Sequence, residues 1–173
     1  MARNVEIKAR VDDLAALEQR VAEIADRGPE ALVQDDTFFA CPAGRLKLRD
    51  FGDGQGELIF YQRADQSGPK TSYYQIAPLE DPEAVRRLLL EAYGSPGRVV
   101  KQRTLYLAGR TRIHLDRVEG LGDFMELEVV LAEGESPEQG LAEAHRLMER
   151  LGIEPDALVE GAYLDLLGNP TRS

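Results

Sequence analysis

Apolar residues recur along the chain with two periods, and the changes of period mark its elements. Behind an N-cap at Asp12 or Asp13, Leu14, Leu17, Val21 and Ile24 share one face of a helix that Gly28-Pro29 stops. Asp81-Pro82-Glu83 sets an N-cap ahead of a proline in the first helical position. Val85, Leu88, Leu89 and Ala92 are then expected as the buried stripe of a second helix, ending at Gly94. Ser136-Pro137-Glu138 opens a third helix in the same way; its stripe is Leu141, Ala144, Met148 and Leu151, and Gly152 closes it. A short helical turn is expected over 155–159. Elsewhere the alternation has a period of two, which predicts strands over 4–11, 35–39, 45–51, 57–63, 71–77, 99–107, 111–118 and 124–131. Glycine-bearing turns at 51–56, 107–110 and 120–123 connect neighbouring strands as hairpins, and consecutive hairpins favour an antiparallel sheet. The first of these, Phe51-Gly52-Asp53-Gly54-Gln55-Gly56, is no phosphate loop, because it precedes a strand and has neither the lysine nor the Ser/Thr of one.

The polar faces of these strands carry an unusual population. Glu6 shares a face with Lys8, Arg45 with Lys47 and Arg49, Lys101 with Arg103, Arg112 with His114 and Asp116, and Glu126 with Glu128. The opposite faces carry Val5, Ile7, Leu46, Leu48, Ile113, Leu115, Leu127 and Val129, which suit packing against the helices. A flat sheet with its charged face in water is the plain alternative. Against it, like charges in a row on one strand repel unless an anion or acids stand opposite, and a solvated face would mix its signs. Eight strands also suffice to close a sheet and remove its edges. The expected fold is α+β: an eight-stranded closed antiparallel β-barrel with about three flanking helices, one domain over 1–173, its charges gathered in the lumen. No repeat or linker interrupts it, and 170–173 is expected to fray.

Composition narrows the partners. A chain of 173 residues is long enough for one sizeable core. A formal charge of −10 disfavours nucleic acid and anionic membrane, so any anion site must be a local basic pocket. No apolar run approaches the roughly 18 residues of a membrane span. The charged start Met1-Ala2-Arg3-Asn4-Val5-Glu6 is unlike a signal peptide, which makes the cytoplasm the expected compartment. Cys41 is the sole cysteine, ruling out an intrachain disulfide and a cysteine-built zinc site; it reads as a small packing residue beside Phe38 and Phe39. His145 reads as helix filler, whereas His114 lies on a charged strand face.

Arginines and lysines from several strands, converging on one lumen, can neutralise an oligophosphate through charge-assisted and bidentate hydrogen bonds. Glu6, Glu126 and Glu128 cannot hold phosphate themselves, but carboxylate oxygens suit Mg²⁺ or Mn²⁺, which bridge to phosphate oxygens. No nucleophilic triad is visible, and reaction at phosphorus needs mainly positioning and electrostatic stabilisation. Tyr61, Tyr74 and Tyr163 are candidate ligand contacts beside their ordinary reading as core or rim residues.

Glu6-Ile7-Lys8, Arg45-Leu46-Lys47-Leu48-Arg49, Lys101-Gln102-Arg103 and Phe124-Met125-Glu126-Leu127-Glu128, in that order over nearly the whole chain, resemble the CYTH superfamily, the triphosphate tunnel metalloenzymes. The stretch His114-Leu115-Asp116-Arg117-Val118-Glu119-Gly120-Leu121-Gly122 and Tyr163-Leu164-Asp165-Leu166-Leu167 are similar to its class IV adenylate cyclase branch. The resemblance implies a divalent metal on Glu6, Glu126 and Glu128, with Asp116 as helper. It implies a phosphate grip of Lys8, Arg45, Lys47, Arg49, Lys101 and Arg103, to which Arg63 and Arg112 are added, and catalytic roles for Glu6, Lys8 and Arg63. Two departures stand out. Asn4 occupies the first acid of the signature Glu-x-Glu-x-Lys, and Gln62-Arg63 replaces a lysine that many members carry; arginine can clamp phosphate there but does not readily give up a proton. The expected function is metal-dependent action on a triphosphate, with ATP, thiamine triphosphate and tripolyphosphate as candidates. The reaction is either cyclisation of ATP to cyclic AMP and pyrophosphate or hydrolysis. The alternative is a non-catalytic binding or sensing module for a nucleotide or polyphosphate. A lumen of arginine and glutamate does not suit a carrier of apolar ligands, and a homodimer is an allowed assembly.

Overall fold

Each of eight strands in the computed structural model has a hydrogen-bonded neighbour on both sides. The structure describes residues 2–63 and 68–168. The strands are β1 (Ala2–Arg10), β2 (Arg27–Phe39), β3 (Arg45–Asp50), β4 (Gly56–Arg63), β5 (Lys70–Leu79), β6 (Gly97–Ala108), β7 (Thr111–Val118) and β8 (Gly122–Val130). The helices are α1 (Leu14–Ile24), α2 (Pro82–Tyr93), α3 (Pro137–Leu151) and α4 (Tyr163–Gly168), with a short 3₁₀ turn at Pro155–Ala157. The sheet order β1-β5-β4-β3-β2-β6-β7-β8 returns to β1 through antiparallel pairing throughout, so the sheet is a ring. All three expected hairpins are present, at 51–55, 109–110 and 119–121.

The period-two alternation sends charged residues inward and apolar ones outward, where helices cover them. Ile7, Ile113, Leu115 and Leu127 meet Leu17, Val21, Met148 and Leu151 of α1 and α3 in the main apolar core. Gly140 lets α3 approach closely: a Cβ there would lie 2.7 Å from Leu131 Cδ2 and 2.9 Å from Val5 Cγ2. Asp13 and Asp81 cap α1 and α2 by accepting from the amides of Ala16 and Ala84. Gly152, with φ of 69°, closes α3 in the left-handed conformation its sequence position announced.

Three details differ from the sequence reading. The first helix stops at Ile24, and Gly28-Pro29 lies instead inside β2, at a register shift between Arg27 and Glu30 in the β2–β6 ladder. The long pairing with β6 outweighs the local break, since a proline without an N–H is tolerated at such an irregularity. The second correction concerns α2, where Leu88 is 65% exposed and Ala92 is exposed as well. Charge, rather than an apolar stripe, ties this helix down: Arg86 donates to Asp50 at 3.0 Å and to Asp35 at 3.5 Å. Thirdly, Tyr163–Gly168 forms a fourth α-helix among the described residues, packed over one end of the ring. The fraying expected at 170–173 falls outside the described residues. No helix of the described residues is long and apolar enough to cross a membrane.

Candidate functional site

The ring encloses a cavity of about 410 Å³. Its lining includes Glu6, Lys8, Lys47, Arg49 and Arg63, and from the other half of the ring Lys101, Arg103, Arg112, Glu126 and Glu128. Arg45, although in register with Lys47 and Arg49, sits at the start of its strand and is drawn aside to Asp165 of α4 at 2.5 Å. Asp116 is fully buried behind the cavity wall, accepting from Arg103 Nε and Nη2 at 2.7 Å each and from the Tyr163 hydroxyl at 2.7 Å.

The charges are not mixed evenly. On β2, β3 and β6, three cations surround one carboxylate. Arg49 donates to both oxygens of Asp36, at 2.8 and 2.9 Å, while Lys47 and Lys101 each lie 3.2 Å from Asp36 Oδ2. Burial would push the Asp36 carboxyl up, but Arg49, Lys101 and Lys47 hold it well below the usual carboxylate range. Burial and then the Arg49 charge push Lys47 down to about 7, with Asp36 opposing. This wall therefore has positive charge to spare.

Across the lumen, β1, β7 and β8 present acids. The β1–β8 register sets Glu6 opposite Glu128 and Lys8 opposite Glu126, and β7 brings His114 opposite Glu126. One ligand atom from each of His114, Glu126 and Glu128 lies within 4.8 Å of the others, and His114 Nδ1 is buried with no hydrogen-bond partner. Two carboxylates and a free imidazole nitrogen on one spot fit a divalent cation. Glu126 is held well below the usual range: burial raises it, but Lys8 and Arg103 together overcome that effect. Burial raises Glu6 in spite of Arg63, which donates to it at 2.6 Å. Burial works against the charge of Arg63, but Glu6, Tyr61 and Glu126 together overcome it and keep the guanidinium firmly charged. Lys8 lies 3.5 Å from Glu126, donates to the Gly161 carbonyl at 3.1 Å and sits 3.9 Å above the Tyr163 ring; burial pushes it down to about 8 against the pull of Glu126.

The two ends of the lumen differ. At one, Tyr163 packs edge-on against Phe124 with ring centroids 5.0 Å apart, in a cluster with Phe38 and Val99. Following β2 from Phe38 through Asp36 and Gln34 leads to Leu32, which with Phe51, Ile76, Tyr74 and Leu105 lines the far end. Of the tyrosines singled out from sequence, all three line the cavity.

The residue most plainly missed in the sequence is Asp36. It stands in the pair Asp35-Asp36, which reads as a charged strand start, and only the parity Gln34, Asp36, Phe38 separates the inward acid from Asp35, which accepts from Arg98 outside. Asn4, the departure from the signature, is buried in the lumen wall with Oδ1 unpartnered.

The molecule is thus a closed antiparallel ring whose lumen holds a cation-rich wall facing one that carries the acids. The CYTH domain model matches residues 2–163, and the chain belongs to that family. A protein of Methanocaldococcus jannaschii named "Putative adenylate cyclase" is 24% identical over 172 residues, covering 95% of this chain and 98% of its own. Among solved structures, a Pyrococcus horikoshii protein superposes with a TM-score of 0.84 at 24% identity, covering 95% of this chain and 99% of that one. A Hippeastrum protein described as having a dominant triphosphatase activity gives a TM-score of 0.69 at 16% identity, covering 98% of both chains.

Proposed function

We propose that this protein is a divalent-metal-dependent enzyme that binds a triphosphate in its tunnel and transfers or cleaves at phosphorus. The division of the lumen carries the reading: Lys47, Arg49 and Lys101 gather around a single carboxylate, while His114, Glu126 and Glu128 converge opposite them. A polyanion needs the first group, its cation the second, and both groups line one cavity of about 410 Å³. The names of CYTH relatives, adenylate cyclase in one and triphosphatase in another, point to the same chemistry in those proteins.

In the hydrolytic form, a water oxygen bonds to the terminal phosphorus and the bridging P–O bond breaks, its electron pair leaving on the diphosphate. In the cyclising form, the ribose 3′ oxygen bonds to the α-phosphorus and pyrophosphate leaves. A divalent ion at His114, Glu126 and Glu128, aided by Glu6, would supply Lewis-acid neutralisation of the phosphate oxygens. Lys47, Lys101 and Arg103 orient the phosphate chain. Lys8, at about 8, and Lys47, at about 7, are basic groups able to exchange a proton near neutrality, and Lys8 is the one beside the acidic wall, whereas Arg63 stays charged and acts as a clamp. Leu32, Phe51, Ile76 and Leu105 at the far end favour a triphosphate with an organic part, ATP or thiamine triphosphate, over bare tripolyphosphate.

Incubation of purified protein with ATP, thiamine triphosphate and tripolyphosphate, each with Mg²⁺ or Mn²⁺, followed by phosphorus NMR, tests the proposal. Metal-dependent product from at least one is expected; turnover of none would refute the enzyme. A second reading, a binding or sensing module, draws on Asn4, whose amide replaces the first acid of the family signature; tight metal-triphosphate binding without product would establish it.

A further inference from the structure

Asp36 is 1% exposed and faces cations from two neighbouring strands. Its two kinds of contact differ in what they leave free. The Arg49 fork is planar and bidentate, committing Nε and Nη2 and fixing the guanidinium plane. Each lysine makes one 3.2 Å contact, longer than the roughly 2.7–2.9 Å of a strong charge-assisted bond, and retains ammonium donors toward the cavity. The other charged or titratable groups facing this cluster are Arg103 on β6, Glu57 and Tyr61 on β4, Lys8 on β1, Asp116 on β7 and Tyr163 on α4. Among the described residues none of these supplies a second carboxylate within bonding distance of Lys47 or Lys101, so Asp36 is their shared counter-ion.

We propose that Asp36 is a positioning residue for anion binding: a resident carboxylate that locks Arg49 in place, keeps Lys47 and Lys101 gathered and favours their charged forms, and cedes the two lysines to an incoming phosphate group. The inference rests on the triphosphate reading of this lumen. Without Asp36, three cations would repel one another in a buried site, and the lysines would meet this by losing protons or turning away. With it, the site is assembled before the ligand arrives, so little reorganisation accompanies binding.

Asp36→Asn preserves shape and removes the charge. Calorimetry with inorganic tripolyphosphate is expected to show about a tenfold or greater loss of affinity near pH 7 and recovery toward wild type near pH 5, where the lysines protonate without a counter-ion. Asp36→Glu, which keeps the charge on a longer stem, should restore part of the loss. A purely structural role would weaken binding equally at both pH values, and that result overturns the proposal. Independently of any ligand, carbon-13 NMR of the lysine ε-carbons, with Lys47 assigned through Lys47→Arg, should show its titration midpoint falling by about one unit or more in Asp36→Asn. An unchanged midpoint overturns the proposal too. Wild-type protein that binds none of tripolyphosphate, ATP and thiamine triphosphate but shows the lysine shift would refute the triphosphate reading and leave the role of Asp36 as counter-ion standing.

Discussion

Arg49 commits two donors to Asp36, so under the proposed function it would act on a phosphate group partly directly and partly through that clamp. Arg49→Ala is expected to weaken tripolyphosphate binding by about 1.5–3 kcal/mol, the range of a lost charge-assisted hydrogen bond, measured by calorimetry. His114, Glu126 and Glu128 form the opposite pole. Glu126→Gln or His114→Phe should lower Mn²⁺ affinity by at least about tenfold, since even groups that only hold a metal ligand in place are worth roughly 10- to 100-fold, read by titration of the metal, while the circular dichroism spectrum is unchanged. Those side chains line the cavity and lie outside the apolar core, which is why the strand and helix content should survive their replacement even where stability falls.

At the level of elements, α3 and α2 make contrasting use of amphipathic sequence. Leu151 of α3 is fully buried in the main core, and Leu151→Ala should cost about 2–5 kcal/mol in denaturant unfolding. Leu88 of α2 is 65% exposed, and Leu88→Ser should change stability by less than about 0.5 kcal/mol. The same periodicity predicted burial for both, because a stripe of leucines records that a helix is amphipathic and not whether another element covers it. Strand parity was the stronger signal: Lys47, Arg49, Lys101, Arg103, Glu126 and Glu128 reach one cavity as alternation required. Alternation could not show that Arg45 is captured by Asp165, a contact 120 residues away in sequence, or that β2 begins at Arg27, where Gly28-Pro29 erases any pattern. Asp36 escaped notice because its partners come from β3 and β6, and only the strand order brings them together.

For the molecule as a whole, the lumen couples stability to pH. Lys47 at about 7 and Lys8 at about 8 titrate in the folded chain below the ordinary lysine value of 10.5. Between those limits the unfolded chain binds more protons, so stability rises with pH. Asp36 and Glu126, depressed by their cations, contribute stability above the ordinary carboxylate range that is lost as the pH falls through it toward their folded values. Glu6 is raised, so its contribution runs the other way and is lost as the pH climbs through its folded value. The ligand-free thermal midpoint should therefore climb from about pH 7 to about pH 9.5 and collapse below about pH 4, and Lys47→Met should flatten the alkaline rise. The proposed chemistry needs one lumen to hold a polyanion and its cation on opposite walls. A crystal structure with tripolyphosphate and Mn²⁺, phased for manganese anomalous scattering, tests this most directly. The expected result is a manganese peak bound by His114, Glu126 and Glu128 with phosphate oxygens against Lys47 and Lys101; manganese and phosphate found only on the outer surface would contradict it.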